Sequence, residues 1–498
     1  MMIIKEDIVL FYPKPTPDAQ NYFPLPLLAL ARMVNQDKYN VVIINATTDE
    51  SYLEKAVKYS REALCFGVST IAGYQIIDAL KVSQAVKKNN PLLPIIWGGY
   101  WPTSAPKETL SNPYVDIVVK GQGEIAFKEL LFHIEEGKSL EGVSGIFYKT
   151  KNGKIVETPN RTLQDINRFP SLPYNLVDAN RCIRYHFLWG RSLDYYTSQG
   201  CPYDCKFCAE PIFSGRKWTG LTPERVVKDV EYLVNSYQID SIRLVDPEVF
   251  INKKRILGIC KKIIEKNIKV NFMTVDTRVD TLMSYSDEEW KLMERAGIHE
   301  FSIGIESGSN QALKAIGKNI AVDDIIALFE RMRNYNFKSY LSIMVGIPTI
   351  DIKKEFLATW KLVDMILKKY RSLISTMSVV NYTPYPGTEL YNQAIKEGFI
   401  PPKNLVNWGY VDHYSLYPCP WRSMKYQKFV NYIDLYILPY FFEPTSQKTI
   451  FHRTFYGILK NIYRIRWKYR WFNLFFEKRL LDSINKRYLK RIAKSKKM

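Results

Sequence analysis

Short unbroken apolar runs alternate with longer stretches of helical periodicity, and the chain passes through this alternation twice. In the first pass, residues 8–12, 41–44, 63–68, 94–97 and 116–119 predict buried strands. Pro13, Pro15 and Pro17 stop the first of them. Pro24 and Pro26 then open a helix over 27–34, because proline suits a helix's first turn. Further helices are expected over 76–87 and 125–136. Apolar strands with intervening helices predict a parallel, doubly wound α/β sheet whose ligand lies at the strands' carboxyl ends. After this pass, residues 145–148 and 155–156 flank the turn Lys151-Asn152-Gly153-Lys154 and predict a hairpin. The proline-punctuated stretch 168–173 predicts a stiff linker.

The second pass has longer helices. Strands are expected at 194–199, 241–245, 269–275, 300–304, 340–345 and 376–381, with helices between them such as 223–235, 253–266 and 351–367. Thr222 followed by Pro223 and Glu224 marks a helix start, where a hydroxyl cap and an acid complement the unpaired N–H groups. Six strand–helix units make a partial (β/α)6 TIM barrel, with functional residues on the loops after the strands. The chain therefore divides into a sheet domain over 1–140, a bridge of hairpin and linker over 141–190, a barrel over 191–400, and a basic, mainly helical region over 401–498.

Composition supports this division. A length of 498 residues exceeds what one core usually supports, and 46% hydrophobic content is enough for several. The net charge of +20 is uneven: from Arg453 to Met498, 15 Lys and Arg face only Glu477 and Asp482. The excess belongs to the tail, which argues against nucleic acid as the partner of the whole protein. From Tyr426 onward aromatics interleave with bases, as in Tyr463-Arg464-Ile465-Arg466-Trp467. Three readings stand: an interfacial membrane anchor, a basic helical hairpin packed on the barrel, or RNA contact through stacking and charge. The N-terminus lacks the apolar run of a signal peptide, and no run of about 18 apolar residues exists to span a membrane. A cytoplasmic chain is expected, with peripheral contact at the membrane's inner face if the tail is an anchor.

Seven cysteines, three of them clustered, do not suit a secreted disulfide framework. Cys201, Cys205 and Cys208 follow the 194–199 strand on one tight loop. Four thiolates close a tetrahedral zinc or iron–sulfur site, whereas three leave a metal position open. The spacing favours an open-site iron–sulfur cluster, which requires a reducing compartment. The rival is a structural metal knuckle with its fourth ligand elsewhere, but no Cys or His follows at finger-like spacing, and Cys182 and His186 lie upstream. Cys182 is read as a buried thiol and Cys419, between Pro418 and Pro420, as structural.

The run Cys-x3-Cys-x-Phe207-Cys208 at the end of an early strand resembles the cluster loop of radical S-adenosylmethionine (SAM) enzymes, and the resemblance implies Phe207 as a SAM contact. Later strand ends extend the resemblance. In Leu244-Val245-Asp246-Pro247-Glu248, it implies Asp246 and Glu248 as acceptors for the SAM amino group. Arg278, within Thr274-Val275-Asp276-Thr277-Arg278, would clamp a carboxylate through its planar fork. Glu306, in Gly304-Ile305-Glu306-Ser307-Gly308, would accept from ribose hydroxyls or the amine, and Gly346 would offer backbone contact to adenine. Tyr385-Pro386-Gly387-Thr388 resembles the family's Pro-Gly-Thr turn.

In the first sheet, Ser69-Thr70, Gly98-Gly99-Tyr100 and Gly121-Gln122-Gly123-Glu124 follow successive strands. They resemble the Rossmann-like cobalamin-binding domain that precedes many radical SAM domains, and imply Ser69, Thr70, Gly98, Gly99, Tyr100, Gly121 and Glu124 as cobalamin contacts. The segment Thr16-Pro17-Asp18-Ala19-Gln20-Asn21-Tyr22 departs from the Asp-x-His-x-x-Gly signature, so cobalt would lack a histidine ligand from this loop. A cobalamin-like fold kept only for substrate shape or docking is the rival.

The resemblance implies a 4Fe-4S cluster that chelates and reductively cleaves SAM, cobalamin as methyl donor, and an electron donor such as flavodoxin or ferredoxin. The expected reaction is methylation of an unactivated carbon of a small-molecule or lipid-like substrate. Cyclisation or rearrangement without methyl transfer is the alternative, and a non-catalytic cobalamin or iron–sulfur protein the rival from another class. Methylthiotransfer is disfavoured, because Cys65 alone in the N-terminal domain offers no second cluster.

Overall fold

The computed structural model describes residues 6–442 together with 461 and 465–467. Its first layer is a seven-stranded sheet of β1 (Glu6–Tyr12), β2 (Tyr39–Asn45), β3 (Cys65–Ser69), β4 (Ile95–Gly98), β5 (Ile117–Val119), β6 (Ile146–Lys149) and β7 (Ile155–Glu157), in the order β2-β1-β3-β4-β5-β6-β7. The first five strands are parallel, and β6 and β7 add an antiparallel edge. The hairpin assigned to a bridge thus extends the N-terminal sheet. Its side chains explain why: Phe147 enters the core on one face, while Ile146 and Tyr148 enter the core on the other. Helices Leu25–Ala31 and Glu124–Glu135 cover the second face. Helix Tyr74–Asn89 covers the first together with Tyr52–Tyr59, which the periodicity did not announce because only Tyr52 and Ala56 of it are buried.

The second unit is an open barrel. Its parallel strands are β9 (Gly190–Tyr195), β12 (Ser241–Leu244), β13 (Asn271–Met273), β14 (Val275–Thr277), β15 (Glu300–Glu306), β16 (Lys338–Val345) and β17 (Ile374–Asn381). β8 (Arg184–His186) pairs antiparallel with β9 at one edge. The strand expected at 269–275 is broken in two. Thr274 takes the left-handed conformation (φ 51°), so β13 pairs with β12 while β14 pairs with β15. The strand expected at 194–199 also ends early. β10 (Ser198–Gly200) leaves the barrel to pair antiparallel with β11 (Trp218–Gly220), and this ribbon brackets the three-cysteine loop.

The two units share buried surface. The sheet's first core continues into Ala312, Ile316, Met344, Ile347 and Tyr382 of the barrel, and Trp101 meets Trp408 at 5.1 Å between ring centres. The C-terminal helix Met424–Tyr432 lies on β17: Asp434 accepts from the Val379 N–H at 2.7 Å, and the Asn381 amide donates to the Gln427 carbonyl at 3.2 Å. Farther on, Trp467 stacks on Trp360 at 3.7 Å and donates to Asp364 at 3.0 Å. These tail residues pack on the barrel. The rest of the tail, on which the membrane and RNA readings fall, lies outside the described residues. Among the described residues no helix is long and apolar enough to cross a membrane.

Candidate functional site

Cys201, Cys205 and Cys208 lie on the loop after β10, and all three are free and half-buried. Burial pushes the Cys201 thiol up to about 11 and the Cys208 thiol up to about 12. Two donors face the sulfurs. Arg278 Nη1 donates to Cys205 Sγ at 3.3 Å and the Glu210 N–H to Cys208 Sγ at 3.4 Å, contacts that favour thiolate. Among the described residues no three His, Cys, Asp or Glu side chains converge on a point that would hold a single metal ion. Three cysteines on one loop, each able to ligate a different iron and leave one position open, fit an open cluster better than a closed zinc knuckle. Cys182 is buried, with Asn45 and the Asp178 carbonyl 3.8 Å from its sulfur, and Cys419 is buried in a short bridge with Arg422.

Above this loop, between the carboxyl ends of the first sheet and the barrel, is a cavity of about 350 Å³. The sheet contributes Ser69, Gly98, Gly99, Tyr100, Gly121 and Glu124, and the barrel contributes Ser198, Gln199, Gly200, Glu210 and Phe213. The glycines are needed where the chain passes closely. Gly99 has φ +98°, and a Cβ there would stand 2.5 Å from the Thr70 carbonyl oxygen. Thr70 is buried with an unpartnered hydroxyl at the end of β3, and it does not line this cavity. A glycine-edged cavity at the strand ends fits a flat, amide-bearing cofactor such as cobalamin.

Some expected contacts are occupied by the chain itself. Glu124 pairs with Arg32 at 2.7 Å, both side chains buried, and also accepts from Gln199 at 3.4 Å. It joins the sheet domain to the cluster strand, a positioning role. Asp246 is fully buried and accepts from the Thr197 N–H at 2.9 Å, the Thr197 hydroxyl at 2.7 Å and the Ser198 hydroxyl at 2.6 Å. It ties the end of β12 to the chain leaving β9, so its lone pairs do not await an ammonium. The fork of Arg278 grips Asp280 at 2.9 and 3.0 Å, and the guanidinium stacks 4.0 Å from the Tyr203 ring centre. The arginine expected to clamp a ligand carboxylate is a brace for the cluster loop. Gly346 donates to Glu355 at 2.9 Å and accepts from the Trp421 indole at 2.9 Å, so both its backbone polar atoms are taken.

Other expected residues keep capacity for a ligand. Burial pushes Glu248 up to about 8 against a 3.1 Å hydrogen bond from the Phe250 N–H, and its charge is felt at Cys201. Glu306, at φ 57° in a bulge of β15, pairs through Oε1 with Lys318 at 2.9 Å. Phe207 is partly buried against the core shared by the two units.

The sequence reading missed Glu210, Arg243 and Asp194, all of which line the cavity. Glu210 is 4% exposed, and burial pushes it up to about 7. Asp194 accepts from Arg243 at 2.8 Å and also from Arg184. The only sequence signal for Glu210 was its place two residues beyond Cys208; nothing local marks the other two.

Comparison with known proteins agrees with this geometry. The chain matches the Radical SAM superfamily model over residues 195–360 and the B12 binding domain model over 18–131. It is 30% identical to an uncharacterized methyltransferase of Pyrococcus horikoshii over 77% of this chain and 80% of that protein. It is 24% identical to the anaerobic magnesium-protoporphyrin IX monomethyl ester cyclase of Synechocystis sp. over 82% and 80%. Its fold is similar to the radical S-adenosylmethionine methyltransferase TsrM from Kitasatospora setae, solved with cobalamin and a [4Fe-4S] cluster (17% identity, TM-score 0.63, 80% of each chain).

Proposed function

Because the chain belongs to the cobalamin-binding radical SAM enzymes, we propose that it methylates an unactivated carbon of a small-molecule or lipid-like substrate. The observation that carries this reading is the cavity between the two units, into which the glycine-edged loops of the sheet and the β10 segment beside the cluster loop both open. Because β10 leads directly from this cavity into the cluster loop, a substrate radical and a methyl donor would meet without crossing solvent. When bound, the cluster and SAM supply hydrogen-abstracting radical chemistry and cobalamin supplies the methyl group.

The chain's residues bind, orient and exclude water. Cys201, Cys205 and Cys208 hold the cluster, and Arg278 braces Cys205. Asp246 fixes the loop leading to the cysteines by holding Thr197 and Ser198. Glu248 and Glu306 receive the amino and ribose groups of SAM, and Phe207 walls the site beside Cys208. Ser69, Gly98, Gly99 and Gly121 form the cobalamin face. Trp421, donating to the Gly346 carbonyl, covers the carboxyl end of β16.

Similarity to a cyclase as well as to a methyltransferase keeps cyclisation in view as the second reading. One experiment addresses both. Anaerobically reconstituted protein, given SAM and a reductant, is expected to form 5′-deoxyadenosine, and Cys208→Ala is expected to abolish it. Mass spectrometry of metabolites and lipids from cells with and without the gene is expected to reveal a product one methyl group heavier than its precursor. A product that has only lost hydrogens would replace methylation by cyclisation. Deoxyadenosine formation equal to that of Cys208→Ala would remove the radical reading itself.

A further inference from the structure

Glu210 makes three kinds of contact from one short helix, Glu210–Ser214, immediately after the cluster loop. Its N–H donates to Cys208 Sγ at 3.4 Å. Its Oε2 accepts from the hydroxyl of Tyr100, which opens the helix Tyr100–Ser104 after β4 on the sheet domain. Its Oε1 is buried and has no hydrogen-bond partner within 3.5 Å among the described residues; the nearby Ser214 hydroxyl, which helps to hold the carboxyl's proton affinity down, donates at 2.9 Å to the Glu210 carbonyl. The side chain lines the cavity, with Tyr100 and Phe213 beside it and their rings stacked at 4.7 Å. Glu210 forms no ion pair among the described residues, although it is 4% exposed. A carboxyl oxygen buried without a partner is unfavourable, and native structures seldom retain one unless a ligand completes it.

As a carboxylate, Glu210 calls for a partner that offers an N–H or O–H. The neighbouring walls indicate which. Glu210 is reached from the sheet side through Tyr100, directly after Gly98 and Gly99, which line the same cavity at the end of β4. A corrin presents primary carboxamides along its edge. We propose that Glu210 Oε1 accepts a hydrogen bond from a peripheral carboxamide of the bound corrinoid and that, through its N–H on Cys208, Glu210 couples occupancy of the corrinoid site to the cluster. The inference rests on the cofactor assignment above. It makes Glu210 a positioning residue shared by two cofactors, which neither glycine-loop nor cysteine-loop patterns disclose. Tyr100 holds the second oxygen, which leaves the first as the carboxyl's unpartnered atom.

The test uses the full chain with its cluster reconstituted and no substrate or SAM present. Hydroxocobalamin is titrated by absorbance, alongside monocarboxylate derivatives in which one propionamide has become a carboxylate. One derivative is expected to bind the wild type about tenfold or more weakly, since a carboxylate then faces Glu210. Glu210→Gln is expected to restore that derivative, because its amide donates where Glu210 cannot. Glu210→Ala is expected to weaken hydroxocobalamin about tenfold. With the cobalamin already reduced to cob(II)alamin by the same excess reductant, so that no electron leaves the cluster on mixing, the cluster's electron paramagnetic resonance signal is expected to shift on adding saturating corrinoid to the wild type but not to Glu210→Ala. Equal binding of all derivatives by the wild type would overturn the contact, and the wild type needs no variant to fold. An unchanged spectrum in the wild type would overturn the coupling. A wild type that binds no corrinoid would instead overturn the cofactor assignment.

Discussion

Glu355 shows how much a single buried carboxyl here depends on its surroundings. It is 1% exposed beneath the carboxyl end of β16, and burial pushes it from 4.5 up to about 7, opposed by hydrogen bonds from the Gly346 and Ile347 N–H groups. The folded chain holds this proton more tightly than the unfolded one. Stability from this group is therefore full below pH 4.5 and is lost as pH rises toward about 7. Glu355→Gln, which keeps an oxygen for Gly346, is expected to remove a loss of up to about 3 kcal/mol between about pH 5 and about pH 8. Urea unfolding of the iron-free chain at both pH values checks this. A variant whose stability falls as steeply as that of the wild type would show that Glu355 titrates normally. At this scale the sequence revealed the cysteines, because their chemistry follows from residue type and spacing. It did not disclose that Asp246, Arg278 and Gly346 are engaged within the chain, because which partner a polar group takes depends on neighbours such as Thr197, Asp280 and Trp421 that are distant or differently oriented.

The elements were legible wherever hydrophobic period and caps agreed. Thr222 does cap the helix Pro223–Tyr237, accepting from the Arg225 N–H. Asp351 likewise caps the 18-residue helix Ile352–Lys369, accepting from the Lys353 and Lys354 N–H groups at 3.0 and 3.1 Å. That helix carries Glu355 under Gly346, Thr359 beside Ser307 and Gly308, and Trp360 against Trp467. Asp351→Ala is expected to cost about 1 kcal/mol through the lost cap. The urea midpoint should fall with the slope unchanged, while a changed slope would mean that the helix's partners had also come loose. Where the elements surprised, a local backbone choice was responsible. Thr274 breaks one expected strand through a left-handed residue, and β10 turns away to pair with β11. A run of apolar residues specifies extended chain but not which neighbour it pairs with.

At the scale of the whole molecule, the two units are held in register by Arg32, Glu124, Gln122 and Gln199. Gln122 donates to Gln199 at 2.8 Å, and Gln199 to Glu124. Arg32→Met would leave Glu124 buried and unpaired, an expected loss of about 3–5 kcal/mol. The double variant Arg32→Met with Glu124→Leu is expected to recover most of it in urea unfolding. Recovery of stability without recovery of hydroxocobalamin affinity would separate the joint's positioning role from its packing role.

The sequence alone determined a parallel sheet followed by a partial barrel, a three-cysteine open-site loop, and glycines at the ends of two strands of that sheet. Each follows from periodicity, residue chemistry or backbone freedom within a few positions. Tertiary structure decided that the hairpin at 146–157 completes the first sheet, that Glu124 and Asp246 serve the joint and the loop, and that Glu210 stands between Tyr100, Cys208 and the cavity. The physical reason is the same in each case. A carboxylate's role is set by what else is buried beside it, and burial joins residues that lie far apart along the chain.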